Sequence, residues 1–356
     1  MGLMYYENPA ISQSKLKLLL SNPRLFNTVE EPEMYFEEKK HFVIGSAVDC
    51  LLTQSQEVFN STYHISKVQN KPSDTIKSII NQVFDTVKEL QETRSNYIAS
   101  ITDYSSLILE ACNSHEYQSR WNDQTRINKI CEAWEYWEDL KQAIGKQVLS
   151  QEENDLISQI VMSIRTNPAT SKYFNPKSMH VEIIFQMSIE FTYEDVECKA
   201  LLDMVIIDHK NKTIQPIDIK TMGDYTINFP KSLRQRRYDI QAAFYTEALK
   251  SKQVYETYEI LPFKFIVEST IEPGTPLVFT CSDNLLQIGK YGRLPYRLCD
   301  KPCVSSEYIT YMKFDEIKGF NQLIDDYKWY LENGFEKSRK VVEAQDEFNL
   351  DWEGII

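Results

Sequence analysis

Between Val181 and Thr221 the chain runs through three β-rich stretches in succession: VEIIFQMSIEF, ECKALLDMVIID and KTIQPIDIKT. Short runs rich in β-branched and aromatic residues, bounded by polar residues, read as strands. The link DHKNK between the second and third has the composition of a hairpin turn. RYDIQAAFYTEALK follows as a helix of good formers, with Ile240, Phe244 and Leu249 on its apolar face. FKFIVEST and PLVFTCS read as further strands, and KFDEIKGFNQLIDDYKWYLENGF as a C-terminal helix. An α/β fold with a mixed central sheet flanked by helices accommodates the order helix, three strands, helix, strand.

The part before this sheet is mainly helical. ISQSKLKLLLSNPRLF predicts a short helix with Ser12 or Ser14 as N-cap and an end at Asn22-Pro23. HFVIGSAVDCLLT predicts a second helix beginning near Gly45. Helical periodicity dominates from residue 74 to about residue 170, through IKSIINQVFDTVKEL, the segment around Trp134 and Trp137, and QEENDLISQIVMSI. The expected division is a helical N-terminal part, 1–170, and a sheet-bearing part, 171–356. Trp134 and Trp137 are expected in the core rather than as a stacking platform.

Composition narrows the function. The chain has 356 residues, 42% hydrophobic and 26% charged, which suits globular domains and not a disordered chain. No apolar run approaches the roughly 20 residues of a membrane helix. The opening MGLMYYENPA lacks the basic and apolar regions of a secretory signal, and Tyr6 stands where myristoylation takes Ser or Thr. A cytoplasmic location without membrane contact is the expectation. Seven scattered cysteines suit reduced thiols. Cys299 and Cys303, in CDKPC, form one close pair, short of the four thiolates of an iron–sulfur cluster. The five histidines show no zinc spacing, and neither a Walker A loop nor GxGxxG is present. A net charge of −13 argues against nucleic acid over the surface as a whole. Screening over about 8 Å makes a local basic patch the deciding feature. KSLRQRR supplies one candidate: Lys231, Arg234, Arg236 and Arg237, suited to phosphate contact or to an ordinary solvated helix start.

Acidic residues interrupt the apolar runs. Asp203 breaks ALLDMVII, and Asp218 and Lys220 break QPIDIKT. Alternate strand residues share a face, so Asp218 and Lys220 point the same way. A hairpin brings Asp203 beside Asp218. Two carboxylates about 4 Å apart repel by roughly 4 kcal/mol at an effective dielectric of 20. A divalent cation removes that repulsion, and oxygen ligands suit Mg2+ or Mn2+ rather than zinc. An Asp203–Lys220 ion pair, or acids facing solvent at a sheet edge, is the plainer alternative, and D-x-K alone is too short a signal to decide. Further residues extend it: Glu182 in the preceding apolar run, Asp49 one helical turn after Gly45, and Gln241 and Tyr245 one turn apart.

This order of G-x-x-x-acid, Glu, Asp, D-x-K and Q-x-x-x-Y resembles the PD-(D/E)xK nuclease superfamily, and more closely its phage-type RecE-like exonuclease VIII family. The resemblance extends to the Ser14 to Pro23 helix, to GKQVLSQEENDLISQIVMSIRTNPA, and to DIKTMGDYTINFPKSLRQRRYDIQAAFYTEAL with Phe229 and Tyr238. It continues through FIVEST to Glu268 and Pro273. It implies a restriction-endonuclease-like core and Mg2+-dependent hydrolysis of DNA from duplex ends, with Mn2+ as the other cation that fits. Asp203 and Asp218 would be the principal metal ligands, the Ile219 carbonyl a further one, and Glu182 would hold a second ion or its water. Lys220 would position the attacking water, Gln241 and Tyr245 would orient the helix, and Tyr238 would join the basic patch on DNA. Asp49 stands where the family carries His, and an Asp still suits a hard cation. Also implied are phage-type recombination, a single-strand annealing protein as partner, a homo-oligomer, and the bacterial host cytoplasm for a phage-encoded chain. A structure-specific or defence endonuclease of the same superfamily is one alternative, and a catalytically silent DNA-end binding protein another.

Overall fold

The computed structural model describes residues 2–28, 40–68, 71–91, 98–176, 178–293, 296–297, 312–313 and 317–343. Two compact units emerge, Met1–Gln54 joined with Ser158–Ile356, and Ser55–Ile157. The division therefore does not fall at residue 170. Residues 1–54 go with the sheet because Ile11, Leu16, Leu19 and Phe26 are buried in the same core as Ile189, Phe191 and Phe244.

The first unit holds a mixed sheet in the order β1 (Val181–Tyr193), β2 (Val196–Asp208), β3 (Thr213–Met222), β4 (Lys264–Ser269) and β5 (Leu277–Thr280). β1, β2 and β3 form an antiparallel meander, β4 pairs parallel with β3, and β5 returns antiparallel. Glu259–Ile260 adds a short parallel pairing at the start of β3. The β1–β2 turn is Glu194-Asp195, with φ of 46° and 63°, the left-handed pair that a two-residue hairpin requires. Asp208 Oδ1 accepts the N–H groups of Lys210 and Asn211 at 2.9 Å each, which closes the β2–β3 turn.

Among the helices of this unit are α1 (Gln13–Ser21), α2 (Lys40–Thr53), α3 (Gln151–Thr166), α4 (Phe229–Arg236), α5 (Tyr238–Lys250), α6 (Asp283–Tyr291) and α7 (Phe320–Asn333), with α3 entering it at Ser158. Ser12 caps α1 by accepting the Lys15 N–H at 3.2 Å. α2 begins at Lys40, earlier than Gly45. α7 is shorter than expected, because its N-cap is Gly319 and Met312–Lys313 lies in a strand.

A parallel β3–β4 pair needs a crossover, and α4 and α5 lie within it. α5 is buried nearly all round, with Ile240, Ala242, Phe244, Ala248 and Leu249 at 0% exposure. Its Phe244 ring meets Phe191 of β1 at 5.1 Å and Phe320 of α7 at 5.5 Å, both edge-on. Small residues bring α6 close: a Cβ added at Gly289 would lie 2.1 Å from the carbonyl oxygen of Asp239 and 3.0 Å from the Ala243 Cβ.

The pleat changes phase in the middle of the meander. Cys198, Ala200 and Leu202 of β2 enter the core, and then Val205 and Ile207 do. On β1 the core-facing set passes from Ile184 to Met187 and Ile189 across Gln186, whose φ is 50°. A break of this kind redirects a side chain without changing the pairing register.

The second unit has helices Asp74–Gln91, Ser105–Ser114, Asp123–Cys131 and Trp134–Gln142, and pairs Tyr63–Ile65 with Gln147–Leu149 in parallel. Trp137 is fully buried and its indole N–H donates to the Ala99 carbonyl at 2.9 Å. Trp134 is 55% exposed, so the expectation of a core residue holds for Trp137 and not for Trp134.

Cys50, Cys112, Cys131, Cys198 and Cys281 are free thiols, while Cys299 and Cys303 lie outside the described residues. Among the described residues no helix is long and apolar enough to cross a membrane.

Replacing Gly289 by Ala forces α6 off α5, and overpacking of this kind costs about 1–3 kcal/mol. A lower urea midpoint is the expected outcome. An unchanged midpoint would show that the two helices do not pack this closely.

Candidate active site

β3 carries the site. Asp218 and Lys220 share one face, as alternation requires, and α5 crosses that face. Asp218 is 1% exposed, and its Oδ1 accepts the Gln241 side-chain N–H of α5 at 2.7 Å. Lys220 Nζ lies 2.7 Å from Asp218 Oδ2, an ion-pair distance.

Asp203 arrives from β2. Met204 pairs with Ile217, which puts Asp203 next in register beside Asp218. Its Oδ2 accepts the Ile219 N–H at 2.8 Å. Asp49 comes from α2, which packs against β3: a Cβ at Gly45 would touch Thr221 Oγ1 at 3.0 Å. Asp49 Oδ2 accepts the Gln186 side-chain N–H at 2.9 Å, and Gln186 also donates to Thr53 Oγ1 at 3.0 Å. Asp49 Oδ1 is buried with no hydrogen-bond partner.

The three carboxylates act on one another. Burial, and then the charge of Asp218, pushes Asp49 up to about 7, against the pull of Lys220, Gln186 and Thr53. Burial and the charges of Asp218 and Asp49 hold Asp203 well above the ordinary carboxylate range. Burial alone would lower Lys220, but Asp218, Tyr238 and Asp203 outweigh it and keep the ammonium charged. Three acids thus face one lysine.

The oxygens divide in a regular way. One oxygen of each acid is tied to the protein, through Gln186, the Ile219 amide or Gln241. Asp49 Oδ1 has no partner, and Asp218 Oδ2 meets only the lysine charge. Hard oxygen donors of this kind fit Mg2+ or Mn2+, which takes one or two carboxylates and keeps several waters. Among the described residues no three or more His, Cys, Asp or Glu side chains stand, as placed, so that they could hold one metal ion.

Glu182 does not join the site. It pairs with Ile207, four residues along β2 from Asp203, or roughly 13 Å of strand. Its Oε2 lies 3.0 Å from His209 Nε2, with the side chain 53% exposed. The residue that does stand opposite Asp203 on β1 is Gln186, between the Phe185–Met204 and Met187–Leu202 pairs. Its signal in the sequence is a lone amide inside VEIIFQMSI.

Tyr245 is buried at 6% exposure with its ring 6.3 Å from Phe263. Tyr238 stands beside the site, with Lys220 Nζ 5.0 Å from its ring centre. The same ring has Lys17 Nζ of α1 at 5.9 Å, a cation that motif reading overlooked.

Lys231, Arg234 and Arg236 are exposed, and the Arg236 guanidinium lies 5.7 Å from the Phe42 ring. Arg237 departs from the proposed phosphate patch. It takes φ 51° between α4 and α5, donates to Asp239 Oδ2 at 2.8 Å, and donates to the Lys318 carbonyl at 2.7 Å. Its charge is consumed in fixing the start of α5.

The chain matches no protein-family model and no curated protein. Among solved structures it is similar to the crystal structure of a "Putative exonuclease" from Eubacterium rectale. Identity is 15% and the TM-score 0.30, over 65% of this chain and 77% of that one. A likeness this remote assigns neither fold nor activity.

Asp49 keeps its proton to about pH 7 in the folded chain, against an ordinary value of 3.8. The folded state binds more protons in that window, so Asp49 makes stability fall as pH rises through it. In a chelator, Asp49→Asn should therefore gain stability over the unsubstituted chain between about pH 5 and about pH 8, on the order of a few kcal/mol. Urea midpoints at both pH values measure it, and a constant difference between the two proteins would contradict it.

Proposed function

We propose that the chain is a divalent-cation-dependent DNA nuclease that hydrolyses phosphodiester bonds. The observation that carries this reading is the placing of Asp203 and Asp218 side by side with Lys220, while Asp49 Oδ1, on the helix packed against β3, is buried and without a partner. The D-x-K strand, the cross-strand Asp and the helical Gln form the pattern that the sequence resemblance names.

Asp203, Asp218 and the Ile219 carbonyl would hold Mg2+ or Mn2+, with Asp49 as a further ligand. When bound, the cation lowers the pKa of a coordinated water and stabilises charge on the attacking and leaving oxygens. Lys220, kept charged by its acidic neighbours, faces the same place and suits both the orientation of that water and the phosphate charge. Gln241 fixes Asp218 by a single hydrogen bond from a buried helix, so its contribution is alignment. Lys231, Arg234 and Arg236 offer sequence-independent phosphate contact next to the crossover. Their position relieves the objection from net charge.

The finer reading follows the RecE-like resemblance. It is exonucleolytic action from duplex ends in phage-type recombination, by a homo-oligomer working with a single-strand annealing protein in the host cytoplasm. Linear duplex labelled at either end, beside closed circular duplex, separates this from endonuclease action. Loss of label from linear DNA alone supports the exonuclease.

Asp218→Asn and Lys220→Ala are each expected to cut cleavage by at least about a hundredfold in Mg2+. Binding to duplex ends, read by fluorescence anisotropy, should stay within about threefold. Undiminished Mg2+-dependent cleavage by both variants would overturn the reading.

A further inference from the structure

Gln186 is the one described residue of β1 with a left-handed backbone, at φ 50°. Only glycine and, to a lesser degree, Asn and Asp adopt that region readily, and an isolated instance inside a strand is strained. Nothing in hairpin geometry requires it, because the pairing register is the same on either side, from Phe185–Met204 to Met187–Leu202. What the conformation does is turn the side chain toward α2. There the amide nitrogen reaches Asp49 Oδ2 at 2.9 Å and Thr53 Oγ1 at 3.0 Å. Thr53 is itself fixed, since its hydroxyl donates to the Asp49 carbonyl one turn back at 2.8 Å. One amide thus ties two residues of α2 to the strand that faces Asp203. It occupies one oxygen of Asp49 and leaves Oδ1 buried and without a partner.

We infer that Gln186 is a positioning residue: it sets the Asp49 carboxylate so that Oδ1 is presented, beside Asp203 and Asp218, to a hard divalent cation. The inference rests on the cation-dependent reading above. The two oxygens of the Asp49 carboxylate are chemically alike, and the amide of Gln186 decides which of them is held and which is left without a partner. Hydrogen bonds behind a metal ligand commonly set its affinity by 10–100-fold.

Two substitutions separate position from fold. Gln186→Gly suits φ 50° and removes the amide, while Gln186→Met keeps the length and removes the donor. Mn2+ binding to each full-length protein is measured by calorimetry without DNA, with unfolding midpoints alongside. Gln186→Gly is expected to unfold at or above the temperature of the unsubstituted chain and yet to bind Mn2+ about tenfold more weakly. Gln186→Met should show the same loss of affinity, and thresholds in Mg2+ for cleavage should rise in parallel. Mn2+ affinity within about twofold of the original in either folded variant would overturn the inference, as would loss of the fold in both. Asp218→Asn run beside them tells the two readings apart. If it still cleaves DNA, the nuclease reading fails, whereas if it is inactive and the Gln186 variants bind Mn2+ normally, only the role of Gln186 fails.

Discussion

Asp218 lies in the interior of β3 with 1% of its surface exposed, and a carboxylate buried there is costly unless something answers its charge. Gln241 and Lys220 answer part of it, one by a hydrogen bond and the other by an ion pair, each at 2.7 Å. The rest is felt by its neighbours, for Asp218 is the first charge acting on both Asp49 and Asp203 once burial is counted. α5 is packed all round, which fixes Gln241 and with it the orientation of Asp218. A helix buried nearly all round thus holds one carboxylate in place.

Gln186 and Asp203 stand opposite each other on β1 and β2, at the place where the core-facing set of both strands changes phase. The phase change at those two positions lets the outer strand supply an amide, the middle strand an acid, and the third strand an acid and a lysine to one place. Strain at Gln186 is placed where the chemistry is proposed, a common arrangement.

Much of this was legible in the sequence. Composition and periodicity marked the three successive strands, the helix after them and a mixed sheet, and alternation put Asp218 and Lys220 on one face. Asp203 followed from the hairpin. Glu182 did not, because its apolar run and its place in the motif order do not set the register, which puts it opposite Ile207, four residues along β2 from Asp203. Arg237 was counted as a free cation because its partners, Asp239 and the Lys318 carbonyl, depend on a turn that composition does not announce. The helix near Gly45 was assigned to a separate N-terminal part, since nothing local reveals that its apolar face packs on a sheet more than a hundred residues away. Lys17 joined the site by tertiary packing alone.

The account stands on the acids around β3 giving up their protons to a bound cation. Anomalous diffraction from crystals soaked in Mn2+ tests that directly. The expected result is a peak within bonding distance of Asp203 and Asp218 oxygens, with Asp49 Oδ1 turned toward it. Crystals at saturating Mn2+ with no peak there, and the three acids held only by Lys220 and their present hydrogen bonds, would contradict it.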